Sequence, residues 1–318
     1  MDLYKLNNNK LESLDKKSFD LERDIQSLLE NNTESLFNLD FISTEFTIGQ
    51  FRLDSLCFDN ETKSFVIIEY KKGSSYSVID QGYSYLSVML NNKSDFILEY
   101  NENTDKSLKR SDIDWSQSRI LFISPSFNSY QKNSVNFKDV PFELWEISKF
   151  SKELISLNRH LPTSKESIQD FGGSSNNSFI SSVNKEVKVY NDSDLLKKCN
   201  DKTLKSWEDF QLKLNELDDV NYLTRKHYIG VRRNNKTITF VHFHSTKLVL
   251  YFLRGNEYDN KKSRGFFTFD DPKNLSKKGE DRFKDGTVRK FYEIYLLDMD
   301  NIDYVMMLIK QKYNSFSN

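Results

Sequence analysis

Between the turn-forming run Asp59-Asn60-Glu61-Thr62-Lys63 and the charged residues Glu69 and Lys71, the chain sets four consecutive apolar residues, Phe65-Val66-Ile67-Ile68. A run this short and this apolar, bounded by turn residues, reads as a strand over 64–71. Two strand-like segments precede it, 41–48 and 51–58, separated from each other by Gly49-Gln50. Three consecutive antiparallel strands are therefore expected. Upstream, Phe19, Ile25, Leu28, Leu29, Leu36 and Phe37 recur at helical spacing and predict an amphipathic helix over 18–37, behind a polar, frayed start. Downstream, Val78, Tyr85, Leu86, Met89 and Leu90 predict a helix over 76–91. RILFIS, at 119–124, then reads as a buried strand, and VPFELWEI, at 140–147, as another. A helix inserted between strands normally buries a mixed sheet, so this half is expected to be a small α/β (α+β) domain.

Residues 156–184 hold two polar stretches, Pro162-Thr163-Ser164-Lys165-Glu166-Ser167 and Gly172-Gly173-Ser174-Ser175-Asn176-Asn177-Ser178, neither able to bury an apolar face. They predict a linker between a domain at 1–155 and another at 185–318. The second domain shows helical periodicity over 192–216, strand-like runs over 227–233, 237–244, 247–253 and 290–297, and a closing helix over 301–313. It reads as α+β, built on an antiparallel meander. A length of 318 residues accommodates two such cores.

Charge is distributed unevenly between these halves. Residues 1–179 carry 20 Lys+Arg against 27 Asp+Glu, whereas residues 225–290 alone carry 17 against 7. A near-neutral total thus conceals a basic C-terminal region, which points to a polyanionic partner. No apolar run approaches the roughly 18–20 residues of a membrane helix, the start lacks a signal-peptide pattern, and a cytoplasmic protein is expected. Cys57 and Cys199 are too few for a disulfide scaffold or a Cys-rich zinc site. His242 and His244 share a strand face, and with no Cys or further His near in sequence a structural role is expected.

The chemistry concentrates where the first three strands end. Residues two apart on a strand project to one face, so Glu69 and Lys71 point together while Ile68 and Tyr70 point away. If the second and third strands pair as a hairpin, Asp54 can lie opposite that face. Two neighbouring carboxylates repel unless a cation bridges them, and hard oxygen donors suit Mg²⁺ or Mn²⁺. Such an ion polarises a phosphodiester and acidifies a bound water, while a lysine stabilises charge on the phosphorane.

Asp54 followed by Glu69-Tyr70-Lys71, on a helix, three strands, helix, strand core, resembles the PD-(D/E)XK nuclease superfamily with its restriction-endonuclease-like fold. Gln81 and Tyr85, four residues apart in VIDQGYSYL, make the NucS-like branch the most similar. The resemblance spans about residues 18–150. It implies Asp54 and Glu69 as metal ligands, Lys71 as the residue that orients water or stabilises charge, and Gln81 and Tyr85 as supports of the catalytic site. It further implies Arg52 and Lys72 as phosphate contacts and an additional acid from the first helix, with Glu22 as the candidate and Glu45 a weaker one. The segments KHYIGVRRNNKTITFVHFHSTKLVLYFL and DNIDYVMMLIKQKYN resemble an uncharacterised domain that recurs behind such nuclease-like domains.

In that second domain Arg225, Lys226, Arg232 and Arg233, among Tyr222, Tyr228 and Tyr251, could hold a nucleic-acid backbone and stack on bases. The expectation is a Mg²⁺-dependent (or Mn²⁺-dependent) endonuclease acting on DNA in repair or defence, as a homodimer or with a partner protein. The alternative is a non-catalytic nucleic-acid-binding or regulatory module that keeps the nuclease fold.

Overall fold

A computed structural model describes residues 3–72, 77–151, 154–168, 178–258, 261–263, 265–282, 286–297 and 300–316. The chain divides into two compact units, Met1–Val189 and Tyr190–Asn318.

The first unit opens with strands β1 (Leu3–Asn7), β2 (Lys10–Leu14) and β3 (Lys16–Lys17). The expected frayed start is thus corrected: β1 and β2 pair antiparallel across Asn8 and Asn9, both in the left-handed region. Asn tolerates that conformation, which a tight hairpin turn requires. Helices α1 (Glu22–Glu30) and α2 (Thr33–Phe37) replace the single helix expected over 18–37. At the break, the Asn31 and Asn32 side-chain amides donate to the Ser27 and Leu28 carbonyls, at 2.7 and 2.8 Å. Side-chain bonds of this kind compete with the helix for its own carbonyls.

Strands β4 (Asp40–Ile48), β5 (Phe51–Asp59) and β6 (Ser64–Tyr70) follow as the expected antiparallel set. Helix α3 (Val78–Asn91) begins where the Ser77 hydroxyl accepts from the Asp80 N–H. Helix α4 (Lys93–Asn103), strand β7 (Arg119–Ser124), helix α5 (Ser129–Ser134) and strands β8 (Phe142–Phe150) and β9 (Leu154–His160) come next. The sheet order is β3-β8-β7-β6-β5-β4, with β9 also on β8, and β6-β7-β8 run parallel.

Helices cover both faces, so β6 and β7 are buried at every residue, as their unbroken apolar runs require. One face packs Phe65, Ile67, Phe122 and Leu144 against Leu86, Met89 and Phe96 of α3 and α4. The other packs Val66, Ile68, Tyr70 and Leu121 against Ile25 and Leu29 of α1.

The expected linker at 156–184 is corrected at both ends. β9 pairs with β8 from Leu154 to His160, and helix α6 (Ser178–Glu186) supplies Val183 to the core beneath α3, followed by Val187. Isolated apolar residues such as Val183 gave too weak a periodicity to reveal this. The expected glycine run at 172–177 lies outside the described residues.

The second unit contains α7 (Asp192–Leu196), α8 (Asp201–Leu214), strands β10 (Val220–Thr224), β11 (Tyr228–Arg233), β12 (Lys236–His244), β13 (Lys247–Tyr258), β14 (Lys261–Lys262), β15 (Lys277–Arg282) and β16 (Val288–Leu296), and helix α9 (Ile302–Asn314). The strands order as β10-β11-β12-β13-β16-β15, all antiparallel, with β14 on the end of β13. Trp207 and Phe210 of α8 and Val305, Leu308 and Ile309 of α9 bury one face of this sheet against Ile229, Val241, Leu250 and Ile294. The antiparallel meander expected from the sequence is present, extended by β10 and β15, which are too polar to show a strand period.

Candidate active site

β5 and β6 pair from Asp59↔Ser64 up to Ser55↔Ile68 and then part. Asp54 is the first residue past the last pair, and its Oδ2 accepts the Tyr70 backbone N–H at 2.9 Å. The carboxylate thereby closes the open end of the ladder with a charge-assisted bond. Glu69, on the facing strand, points to the α3 side, and Lys71 follows it there: Lys71 Nζ lies 2.6 Å from Glu69 Oε1. Tyr70, between them, points to the opposite side and meets Ser55 Oγ at 3.2 Å. The period-2 alternation of a strand is the whole reason for this division.

Helix α3 completes the cluster because Gln81 and Tyr85, four apart, share its sheet-facing stripe. Gln81 Nε2 donates to Glu69 Oε1 at 2.6 Å and reaches Tyr85 Oη at 2.9 Å. The Tyr85 hydroxyl donates to the Arg52 carbonyl at 3.2 Å, tying α3 to β5. Glu69 is 2% exposed and Lys71 9%. One Glu69 oxygen, Oε1, thus collects an ammonium and an amide, whereas Oε2 is buried without a hydrogen-bond partner, as is Gln81 Oε1. Two bare acceptor oxygens cost far more buried than solvated, and such groups call for a partner or a function.

Electrostatics follow from burial. Removal from water, and then the nearby Asp54 charge, push the Glu69 carboxyl up to about 7. Burial also raises Asp54, against the pull of the Tyr70 N–H and Lys71. For Lys71, burial works to lower the pKa, and the Glu69, Asp54 and Glu22 carboxylates outweigh it, holding the ammonium above its ordinary range. The site is short of positive charge for its two acids.

Glu22, at the first turn of α1, accepts the Lys72 N–H at 2.8 Å and is one of the charges acting on Asp54 and Lys71. The structure therefore brings Glu22 to the rim, while Asp54, Glu69, Lys71, Gln81 and Tyr85 form the centre. Lys72 turns its ammonium to the Asp20 carbonyl. Arg52 is exposed at the edge, and Glu45 lies 3.8 Å from Arg52 rather than beside Glu69.

Gln26 was missed by sequence reasoning. Its Nε2 donates to the Asp54 carbonyl at 3.1 Å, to Thr44 Oγ1 at 3.0 Å and to Glu30 Oε1 at 3.0 Å. Glu30 in turn accepts from Ser55 Oγ at 2.6 Å. The available signal was the four-residue spacing of Glu22, Gln26 and Glu30, one polar stripe on a helix otherwise packed by Ile25 and Leu29.

The donor set suits a hard divalent cation: two carboxylates, an amide oxygen and no thiolate or imidazole. No group of three or more His, Cys, Asp and Glu converges on one point among the described residues.

The basic residues of the second unit do not form one surface. Arg225 and Lys226 sit in the β10–β11 turn, where the Arg225 N–H donates to the Tyr228 carbonyl. Arg233 stacks on Tyr313 of α9, 4.2 Å from the ring centre, on the helix-covered side. Tyr222 likewise packs into the core, whereas Arg232, Tyr228 and Tyr251 belong to the other face of the sheet.

Among known proteins, an uncharacterized protein of Haemophilus influenzae is 39% identical over 313 residues, covering 98% of this chain and 99% of its own length. No protein-family model matches. Two solved structures align at 16% identity: a repair endonuclease from Pyrococcus abyssi, TM-score 0.26, over 38% of this chain and 45% of that one, and the EndoMS–dsDNA2 complex, TM-score 0.28, over 46% and 64%. The chain spans less than two thirds of either solved chain. No helix among the described residues is long and apolar enough to cross a membrane.

Proposed function

We propose, for the family to which this chain and the Haemophilus influenzae protein belong, a metal-dependent endonuclease that hydrolyses DNA phosphodiester bonds at the side-chain cluster between the β5–β6 ends and α3. The observation that carries this reading is the pair of buried, unpartnered oxygens, Glu69 Oε2 and Gln81 Oε1, in the same side-chain cluster as Asp54 and the Lys71 ammonium.

Asp54 and Glu69 would hold a Mg²⁺ or Mn²⁺ ion, with Glu22 at the rim able to reach it through water. When bound, the ion would supply Lewis acidity toward the scissile phosphate and lower the pKa of a coordinated water. The chain's own residues do the rest. Lys71, kept protonated by the acids around it, stabilises negative charge growing on the phosphate. Gln81 and Tyr85 fix the Glu69 rotamer, so that one oxygen is engaged and the other is left without a hydrogen-bond partner. Gln26 holds the Asp54 backbone in register. Arg52, exposed at the mouth, and Lys72 meet the flanking phosphates of the DNA.

The test is cleavage of labelled duplex, single-stranded and branched DNA with Mg²⁺ or Mn²⁺, wild type beside Glu69→Gln and Lys71→Ala. We expect metal-dependent cutting that both substitutions reduce by at least about 100-fold, the usual scale for removing a charge-stabilising group. Glu69→Gln also relieves a buried carboxyl, so its melting temperature should stay at or above that of wild type. Undiminished cutting by either variant would remove that residue from the mechanism. Binding without any metal-dependent turnover would favour a non-catalytic module.

A further inference from the structure

The nuclease reading makes no use of the face of the second sheet that lies opposite α8 and α9. Solvent-facing positions of an antiparallel sheet are ordinarily polar. This face instead carries Tyr228 on β11, Phe240 and His242 on β12, Val249 and Tyr251 on β13, and Phe291 and Tyr295 on β16, as the cross-strand register requires. Phe240 and Val249 are buried, and the other five are half-buried.

The rings form one continuous series across four strands. Tyr228 lies 5.0 Å from Phe240 and 5.4 Å from His242, His242 lies 4.9 Å from Tyr251, and Tyr251 lies 5.5 Å from Phe291. Two glycines shape the surface. A Cβ on Gly279 would sit 2.3 Å from the Phe291 ring, so the glycine leaves room for that ring beside β15. Gly230 lies between Tyr228 and the Arg232 side chain, where an added Cβ would make ordinary contacts at 3.6 to 4.0 Å.

Cations rim this floor. Lys247 and Lys277 hold their ammonium groups 4.3 and 5.0 Å from the Tyr295 ring centre, and Arg232 flanks Gly230. Glu293 is engaged by the Tyr251 hydroxyl at 2.8 Å. Burial, followed by the neighbouring His244, lowers His242 to about 4, so its ring is neutral at ordinary pH and behaves as one more aromatic surface.

An aromatic floor whose one central carboxylate, Glu293, is held by the Tyr251 hydroxyl and lies opposite Lys277, and whose rim is cationic, matches a partner that is polyanionic and carries flat π faces. Unpaired bases meet both conditions; a duplex hides its base faces and offers only phosphate. We propose that this sheet face binds single-stranded DNA, stacking bases on Tyr228, Tyr251 and Phe291 while Arg232, Lys247 and Lys277 meet the phosphates. The choice of DNA over RNA rests on the function proposed for the first unit. In this arrangement the protein engages DNA that is partly unpaired, with the second unit on the open strand.

The experiment is fluorescence anisotropy of the full chain with labelled oligodeoxythymidine, the matching duplex and oligouridine, in EDTA so that nothing is cut. The oligodeoxythymidine should bind more tightly than the duplex, Tyr251→Leu should weaken it about tenfold, and Tyr251→Phe should not. Lys277→Gln, a change at the exposed rim that leaves the core untouched, should lower the slope of log affinity against log salt by about 0.7, the value for one single-strand phosphate contact. Equal binding by wild type and Tyr251→Leu, an unchanged salt slope in Lys277→Gln, or preference for the duplex would overturn the proposal. Tighter binding of oligouridine would overturn the assignment to DNA. Because the readout needs no cleavage, an inactive nuclease site leaves it standing, and cleavage without single-strand binding defeats this proposal alone.

Discussion

Glu69 and Lys312 are both buried charges, and their surroundings give them opposite meanings. Glu69 sits in a cluster with other titrating groups, where a raised pKa belongs to a site able to exchange protons or bind a cation. Lys312 on α9 is 8% exposed, faces the rings of Phe267 and Phe316, and donates to the Leu253 carbonyl at 2.8 Å. Burial alone lowers it to about 8 from 10.5. The folded state therefore binds fewer protons than the unfolded chain between those two values, so the cost is full below about pH 8 and is relieved as pH rises toward 10.5. Replacing it by methionine removes that cost together with the hydrogen bond to the Leu253 carbonyl. We expect Lys312→Met to stabilise the protein by about 1–2 kcal/mol at neutral pH. The gain should shrink toward zero near pH 10, as read by thermal melts at the two pH values.

At the scale of elements, α3 decides whether the site is assembled, and one residue sets its height above the sheet. Gly82 lies between Gln81 and Tyr83, and a Cβ there would sit 2.5 Å from the Phe142 ring of β8. In an exposed helix, Gly→Ala would stabilise by about 1 kcal/mol through propensity. Here the Phe142 ring is buried and packs edge-on against Tyr83 and Phe122, at 5.0 and 5.9 Å, so a shift would disturb both contacts. Gly82→Ala should instead destabilise by about 1–3 kcal/mol, as overpacking does. It should also cut DNA cleavage more than that loss of folded protein explains, because α3 carries Gln81 and Tyr85 away from Glu69. Denaturant titration beside cleavage rates at a temperature where the variant is folded would show both effects.

For the whole molecule, the boundary between the units is the point that matters experimentally. A chain ending at residue 155 lacks nearly all of β9 and all of α6, which exposes the β8 edge and the cavity that Val183 and Val187 fill. A chain ending at Val189 keeps both. The longer fragment should unfold in one cooperative transition and retain whatever metal-dependent cleavage the full chain has, whereas the shorter one should aggregate or melt without cooperativity. Circular dichroism melts of the two fragments decide this. A stable, cooperatively folded 1–155 fragment would show that β9 and α6 are accessories.

The strands and their polarity were legible because their information is local: FVII and RILFIS are apolar runs between turn residues, and the alternation of a strand dictates that Glu69 and Lys71 share a side and Tyr70 does not. The spacing of Gln81 and Tyr85 on a helix is local in the same way. What the tertiary structure alone decided is long-range. Nothing in the sequence near Gln26 says that it will reach the Asp54 carbonyl, 28 residues on. The pairing of β9 and the docking of α6 rest on backbone hydrogen bonds and a few apolar contacts with no period of their own. The ring series of the second sheet likewise exists only once Tyr228, His242, Tyr251 and Phe291 are brought together by register. Local pattern settles which element forms and which way each side chain points; the partner across the gap is settled by which faces can be buried together, and that is a property of the folded chain.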